Sequence, residues 1–179
     1  MLKTTRRLRI AAAGAVAAAG LTLPAAPASA ACANANVNPH DMSRPAAKRA
    51  TLCVINEIRR ARGLHAFDRN IRLGKASQRH TNAMERRKYF LHGDFVGRIR
   101  SAGYLSGVGT WAVGENIAWG SYHLATPRAI VRGWMHSPPH RHSMLSSRFR
   151  DIGIGITNGA PVRGVDRAAI YATDFGTRG

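Results

Sequence analysis

Between residues 46 and 61 apolar positions recur with a helical period. Ala47, Ala50, Val54, Ile58 and Ala61 share one face, Arg59 and Arg60 lie opposite, and Gly63 supplies the stop. A second helix is expected from a cap near Asp68 to about Lys88, carrying Leu73, Ala76, His80, Ala83 and Met84 inward. The glycine-rich stretch from Tyr89 to Gly114 reads as irregular, and Asn116 to Trp119 as a short strand. Thr126-Pro127 is a cap followed by a first-turn proline, opening a third helix that buries Ile130, Val131, Trp134 and Met135. That helix must stop at Ser137, because the residue before a proline is pushed out of helical geometry. Ser137-Pro138 then starts a fourth, short helix through about Leu145. Ile152, Ile154 and Ile156 alternate with Gly153, Gly155 and Thr157, and Ala169 to Phe175 returns as a partner strand across the Asn158–Arg167 loop. Helices followed by a terminal hairpin predict an α+β layer structure.

The first thirty residues break this pattern. Lys3, Arg6, Arg7 and Arg9 precede an apolar run from Ile10 to Leu23, and the segment closes on Ala28-Ser29-Ala30, so residues 1–30 read as a signal peptide cleaved after Ala30. A membrane anchor is the competing reading, but the run is shorter than the roughly 20 residues a span needs, and Pro24 and Pro27 break it. Cys32 just past the cleavage point raises a lipoprotein, yet Ser29 stands where a lipobox wants leucine. Residues 31–45, with Asn34, Asn36, Asn38, Pro39 and Pro45, read as an extended tail, and 46–179 as one domain. The expected product is a secreted monomer with no transmembrane segment, extracellular or held at the cell envelope. Two cysteines in an exported chain favour a Cys32–Cys53 disulfide tying the tail to the first helix, the alternative being two unrelated buried thiols.

Charge narrows the partners. Residues 1–30 hold four of the 27 Lys and Arg and none of the nine Asp and Glu, so the remainder has 23 bases against nine acids, net +14. Such an excess favours anionic partners, wall polymers or phospholipid headgroups among them. Nearly all the bases are arginine in an alanine-rich chain, which biased codon usage also produces. They are dispersed, with no stripe of interleaved aromatics, which argues against nucleic acid.

Four stretches carry a family resemblance. They are Leu52 to Leu64 (LCVINEIRRARGL); Tyr89-Phe90-Leu91-His92 with Gly97-Arg98 and Ala102-Gly103-Tyr104; Gly114 to Gly120 (GENIAWG); and Trp134 to Arg141 (WMHSPPHR), leading to Met144-Leu145, Ile152 to Gly155 and Tyr171 to Gly176. In order and spacing they cover almost all of residues 46–176. The sequence resembles bacterial members of the CAP family, the cysteine-rich secretory, antigen 5 and pathogenesis-related 1 proteins, whose domain is also called SCP. The resemblance implies a three-layer α–β–α sandwich around a small antiparallel sheet.

It also implies a cleft. Many CAP proteins gather two histidines and two glutamates, a set that binds zinc or similar cations in some members. By position His92, Glu115 and His140 match three of the four, while the second glutamate falls at Ser137; Pro139 and Ser143 are further departures. His92, Glu115 and His140 are therefore the candidate ligands for zinc or another divalent cation and the candidate catalytic groups, since two neutral imidazoles and a carboxylate form a first shell with an open position. A helix N-terminus at His140 favours a neutral ring. The alternative is a hydrogen-bonded polar cluster that supports the loops and binds no metal.

His80 reads as a core histidine, His136 and His142 flank the prolines, and His65 and His123 carry no argument. Ser137 and Ser143 near His140 invite a serine-nucleophile reading, but there is no nucleophile elbow, no HEXXH and no Ser-His-Asp order. The function expected is a binding module for an anionic, lipid-like or sterol-like ligand; the alternative is a metal-assisted hydrolase using the same cleft. Of the aromatics available to such a ligand, Trp111, Trp119, Tyr122 and Trp134, most are expected in the core, Trp134 first.

Overall fold

Four of the five α-helices described begin where a side chain accepts from a free amide of the first turn. In a computed structural model of the chain, which describes residues 32–179, Ser43 caps α1 (Arg44–Arg60) with Pro45 in its first turn. Asn70, not Asp68, caps α2 (Ile71–Arg87), accepting from the amides of Arg72 and Leu73. Asp68 is instead part of a two-residue strand, β1 (Asp68–Arg69). Lys88 takes the left-handed conformation and returns its amide to the Met84 carbonyl, closing α2. The stretch expected to be irregular contains a helix, α3 (Phe95–Ser101), capped by Asp94. The strand expected over 116–119 is longer, β2 (Trp111–Ser121). Helices α4 (Pro127–His136) and α5 (Pro138–Leu145), and strands β3 (Asp151–Asn158) and β4 (Ala168–Arg178), stand where the sequence placed them.

The sheet order is β1-β3-β4-β2. The three long strands are antiparallel, and β1 adds a parallel edge that the all-antiparallel expectation did not contain. Central β4 is buried over nearly its whole length, because both its faces are covered. On one side Ile152, Ile154, Ile156, Tyr171 and Phe175 pack with Val54, Ile55, Val131 and Trp134 of α1 and α4. On the other, Ile117, Ile170 and Ala172 pack with Met84 of α2. The glycines of β3 belong to this second face. A Cβ at Gly153 or Gly155 would run into the α2 backbone at Leu73 or Ser77, so their absence of side chain lets the helix lie directly on the strand. The layers are thus α1, α4 and α5, then the sheet, then α2 and α3, the three-layer sandwich expected.

Residues 31–45 were expected as an extended tail, but from Cys32 on they are docked. Pro39–Asp41 form a 3-10 turn, the Asn38 amide donates to the carbonyls of Tyr122 and Arg167 at 2.7 and 3.1 Å, and Ala35 is buried. Residues 32–179 form one compact unit. The Cys32–Cys53 disulfide is present, with Cα atoms 5.6 Å apart, fixing this segment to α1. The signal-peptide reading of 1–30 lies outside the described residues. Among the described residues, no helix is long and apolar enough to cross a membrane.

Arg59 departs from its face. The helical period puts it outward, yet it is 1% exposed. Its guanidinium donates to the carbonyls of His65, Met144 and Ser146 at 2.7, 2.7 and 3.0 Å and lies over the Phe67 ring. The carbonyls left free at the end of α5 make that burial tolerable.

Candidate functional site

The alternation of β2 sends Glu115 to one face of the sheet and Asn116 to the other. Glu115 faces α2, where its side chain is fully buried. Its register partner on β4 is Asp174, so two carboxyl groups stand side by side under α2. The buried stripe of α2 (Leu73, Ala76, Ser77, His80, Thr81 and Met84) supplies Ser77 and His80 to the same place. Beyond α2, the left-handed turn at Lys88 carries the chain back to His92, and the Asp94-capped α3 presents Arg98.

Glu115 is held from two sides. His92 Nδ1 lies 2.8 Å from its Oε1, and Arg98 Nη2 donates to Oε2 at 2.6 Å. Arg98 Nη1 also donates to the His92 carbonyl at 2.7 Å, so one guanidinium fixes both the carboxylate and the loop bearing its other partner. The His92 ring is about half exposed and is the cluster's face to solvent.

Behind it, His80 Nε2 is 4.0 Å from Glu115 Oε2 and makes no hydrogen bond. The core histidine expected at this position is thus buried but not fully satisfied. Burial lowers its affinity for a proton, and the charges of Arg98 and His92 lower it further against the pull of Glu115. Asp174 Oδ2 accepts from Ser77 Oγ at 2.8 Å, while Oδ1 has no partner. Burial first, and then the charge of Glu115, push the Asp174 carboxyl well above the usual range.

His140 stands apart from this set. Its ring Nδ1 is 2.8 Å from Ser137 Oγ, the residue at the missing glutamate's position, and its backbone carbonyl accepts from Asn116 Nδ2 at 2.9 Å. Its proton affinity is lowered, mainly by burial and then by the charge of His92. The structure therefore brings His92 and Glu115 into contact and gives His140 a different partner.

A divalent cation does not fit this arrangement as it stands. Both Glu115 oxygens are engaged, one of them by a permanent cation. Among the described residues no three His, Cys, Asp or Glu side chains are grouped to hold a metal ion. A hydrolytic set is incomplete in the same way. Ser137 and His140 are within nucleophile–base reach, but none of the hydrogen bonds made by the His140 ring is to a carboxylate. His136 bonds the Arg132 carbonyl at the surface, away from the cluster.

Sequence reasoning missed Arg98, Asp174 and Ser77. Asp174 had a legible signal, a lone acid in the otherwise uncharged run Ala168 to Phe175. The aromatics were also misjudged. Trp134 is core, its Nε1 donating to the Ile117 carbonyl, but Trp111 and Trp119 of the edge strand β2 and Tyr122 of the turn that follows it are exposed.

The likenesses to known proteins agree with the fold. Over 105 residues the chain is 30% identical to an uncharacterized protein of Bacillus subtilis (strain 168), YkwD, covering 56% of this chain and 38% of that one. Over 111 residues it is 27% identical to an uncharacterized membrane protein of the same organism, YlbC, covering 62% and 31%. The chain thus spans about a third of the length of these relatives. An outer surface protein of Borrelia burgdorferi superposes with a TM-score of 0.64 at 18% identity, over 77% of this chain and 97% of that one. An extracellular protein of Bacillus anthracis containing an SCP domain does so at 0.57 and 21% identity, over 75% and 43%. The sequence model of the cysteine-rich secretory protein family matches residues 52–172, more than half of the chain, and the chain belongs to that family, CAP.

Proposed function

We propose that this protein is a secreted binding module, acting at the cell envelope or outside it on an anionic or lipid-like ligand. The observation that carries the reading is charge left unopposed. Of the 23 bases beyond residue 30, only Lys88, Arg98, Arg128 and Arg167 stand in an ion pair among the described residues. The rest project a positive field that neutral partners do not answer. Exposed Trp119, Tyr122 and Leu124 add apolar surface close together along the chain. The disulfide suits an oxidising compartment, as do the surface and extracellular descriptions of the structural relatives.

Within this reading Arg98 supplies the permanent positive charge beside Glu115. A divalent cation on His92, Glu115 and His140 would have to displace that guanidinium, while His140 could ligate through Nε2 and keep its bond to Ser137. The alternative, a metal-assisted hydrolase, needs that displacement. Zinc titration followed by thermal unfolding separates the two. The expected result is no rise in Tm for the native protein and no ester, peptide or phosphodiester turnover with or without zinc. Saturable zinc stabilisation accompanied by turnover that Glu115→Gln abolishes would establish the hydrolase instead.

A further inference from the structure

Bases that are scattered in the sequence line up on one helix. Arg72, Arg79 and Arg86 recur at every seventh residue of α2, two turns apart, and all three are exposed. Lys75 stands between the first two on the same face, and the buried stripe of α2 lies on the other side. At the start of the helix the row opens into a hollow of about 450 Å³ lined by Arg69, Asn70, Ile71, Arg72 and Arg178, with no acid among them. Two of these arginines are held by neighbours. Arg72 Nη1 donates to the Gly103 carbonyl at 3.0 Å, and the Arg178 guanidinium lies over the Tyr104 ring. None of Arg69, Arg72, Lys75, Arg79, Arg86 and Arg178 is in an ion pair among the described residues. The acids at hand are engaged elsewhere. Glu85, the one acid within α2, bonds Lys88 at 2.8 Å; Asp94, beside Arg79, accepts from the Gly97 amide at 2.7 Å; Asp151 accepts from the Tyr104 hydroxyl at 2.7 Å. A row of cations without counter-ions matches a ligand whose negative charges also recur along a line.

We propose that this face of α2 binds a linear polyol-phosphate wall polymer, with successive phosphates on the Arg69–Arg72–Arg178 hollow, on Arg79 and on Arg86.

Three observations select this occupant. The row from Arg72 to Arg86 is about 21 Å long, fourteen residues at ~1.5 Å each, farther than one phosphate group reaches, so the ligand is a chain of them. The cations are arginine at every step of the repeat, and the guanidinium fork takes both free oxygens of one phosphodiester. Finally, of the large exposed apolar side chains only Ile71 belongs to α2, and no exposed aromatic lies on α2 or α3. Nucleobases would find no platform to stack on there, whereas an acyclic polyol linker needs none.

The site deepens the binding-module reading and rests on it. The test is fluorescence anisotropy of an end-labelled poly(glycerol phosphate) dodecamer with the protein from Ala31 to Gly179. Three phosphates at ~0.7 each give an expected slope of about −2 for log affinity against log salt. Changing Arg72→Gln, Arg79→Gln and Arg86→Gln together should flatten that slope and weaken binding at least about tenfold at ~0.1 M salt. Tm should not fall, because all three side chains are exposed and outside any ion pair. Removing the same charge elsewhere on the exposed surface, by Arg49→Gln, Arg62→Gln and Arg163→Gln, should weaken binding less than about twofold. Glycerol 3-phosphate should bind at least about 100-fold more weakly than the polymer, because it engages one step of the row at a time. Oligothymidylate with the same number of phosphates should bind no more tightly than the polymer. Absence of polymer binding, equal losses from the two triple variants, or tighter binding of oligothymidylate would each overturn the site. Protein that sediments with anionic vesicles but does not bind the polymer overturns the row as a site and leaves the binding module standing; failure on both surfaces removes the module as well.

Discussion

Replacing Arg98 by methionine keeps most of the side chain's length and removes the guanidinium bonded to Glu115. Glu115 is fully buried, and its remaining close partner would be the half-exposed His92, with His80 4.0 Å away and its proton affinity lowered by burial. Removing one partner of a buried ion pair costs about 3–5 kcal/mol, because the other charge stays behind without compensation. Arg98 is itself 23% exposed and His92 persists, which places the loss near the lower end, about 3 kcal/mol. For a domain of this size Tm moves ~2–4 °C per kcal/mol, giving a fall of about 6–12 °C. The loop carrying His92 loses its 2.7 Å bond to Arg98 as well. Circular dichroism melts and urea titrations of the native protein, Arg98→Met, Glu115→Gln and the double variant form a complete cycle. The double variant should recover at least about 1 kcal/mol relative to the sum of the singles, since the charge that Arg98 compensates is then absent. A fall below about 2 °C for Arg98→Met, or strict additivity, would refute the placement of Arg98 as the cleft's cation.

Other consequences are as direct. Reduction of Cys32–Cys53 opens a loop of 21 residues and should lower stability by about 3 kcal/mol, and thiol titration of unfolded, unreduced protein should find essentially no free thiol. Gly153→Ala forces a Cβ into the α2 backbone at Leu73, with an expected loss of about 1–3 kcal/mol in urea denaturation. Lys48 titrates near 8 folded and near 10.5 unfolded, so between those values the unfolded chain binds more protons and stability rises with pH. Its partial exposure discounts the effect to about 1 kcal/mol, and stability measured across pH 8–10.5 should show that rise in the native protein and lose it in Lys48→Met.

Where local chemistry decides the structure, the sequence was readable. Thr126-Pro127 places α4 through a capping hydroxyl and a first-turn proline, and Pro138 places α5 from its first turn, with Ser137 at the cap position but bonded to the His140 ring. The β3–β4 hairpin follows from its alternation. Elements decided by distant partners were not readable. Asp68 and Asn70 are both good caps, and only the pairing of Asp68–Arg69 with β3 makes Asn70 the start of α2. The seven-residue α3 lacks a long apolar period, so the Asp94 cap was its main local signal. In the cleft, the resemblance located His92, Glu115 and His140, but residue types could not say that Glu115 is claimed by Arg98 and His140 by Ser137. Arg59 was misplaced for the same reason, since two of its three acceptors are carbonyls at the end of α5, 85 and 87 residues away in sequence.

A binding module of this kind requires a partner for its unopposed positive charge. Sedimentation of the protein from Ala31 to Gly179 with phosphatidylglycerol-containing vesicles and with phosphatidylcholine vesicles, in salt from about 0.05 to about 0.5 M, measures this directly, because screening shortens from more than about 10 Å to a few ångströms over that range. Binding to the anionic vesicles alone is expected at low salt, falling steeply as salt rises. Equal retention on both surfaces, or none on either, would contradict it.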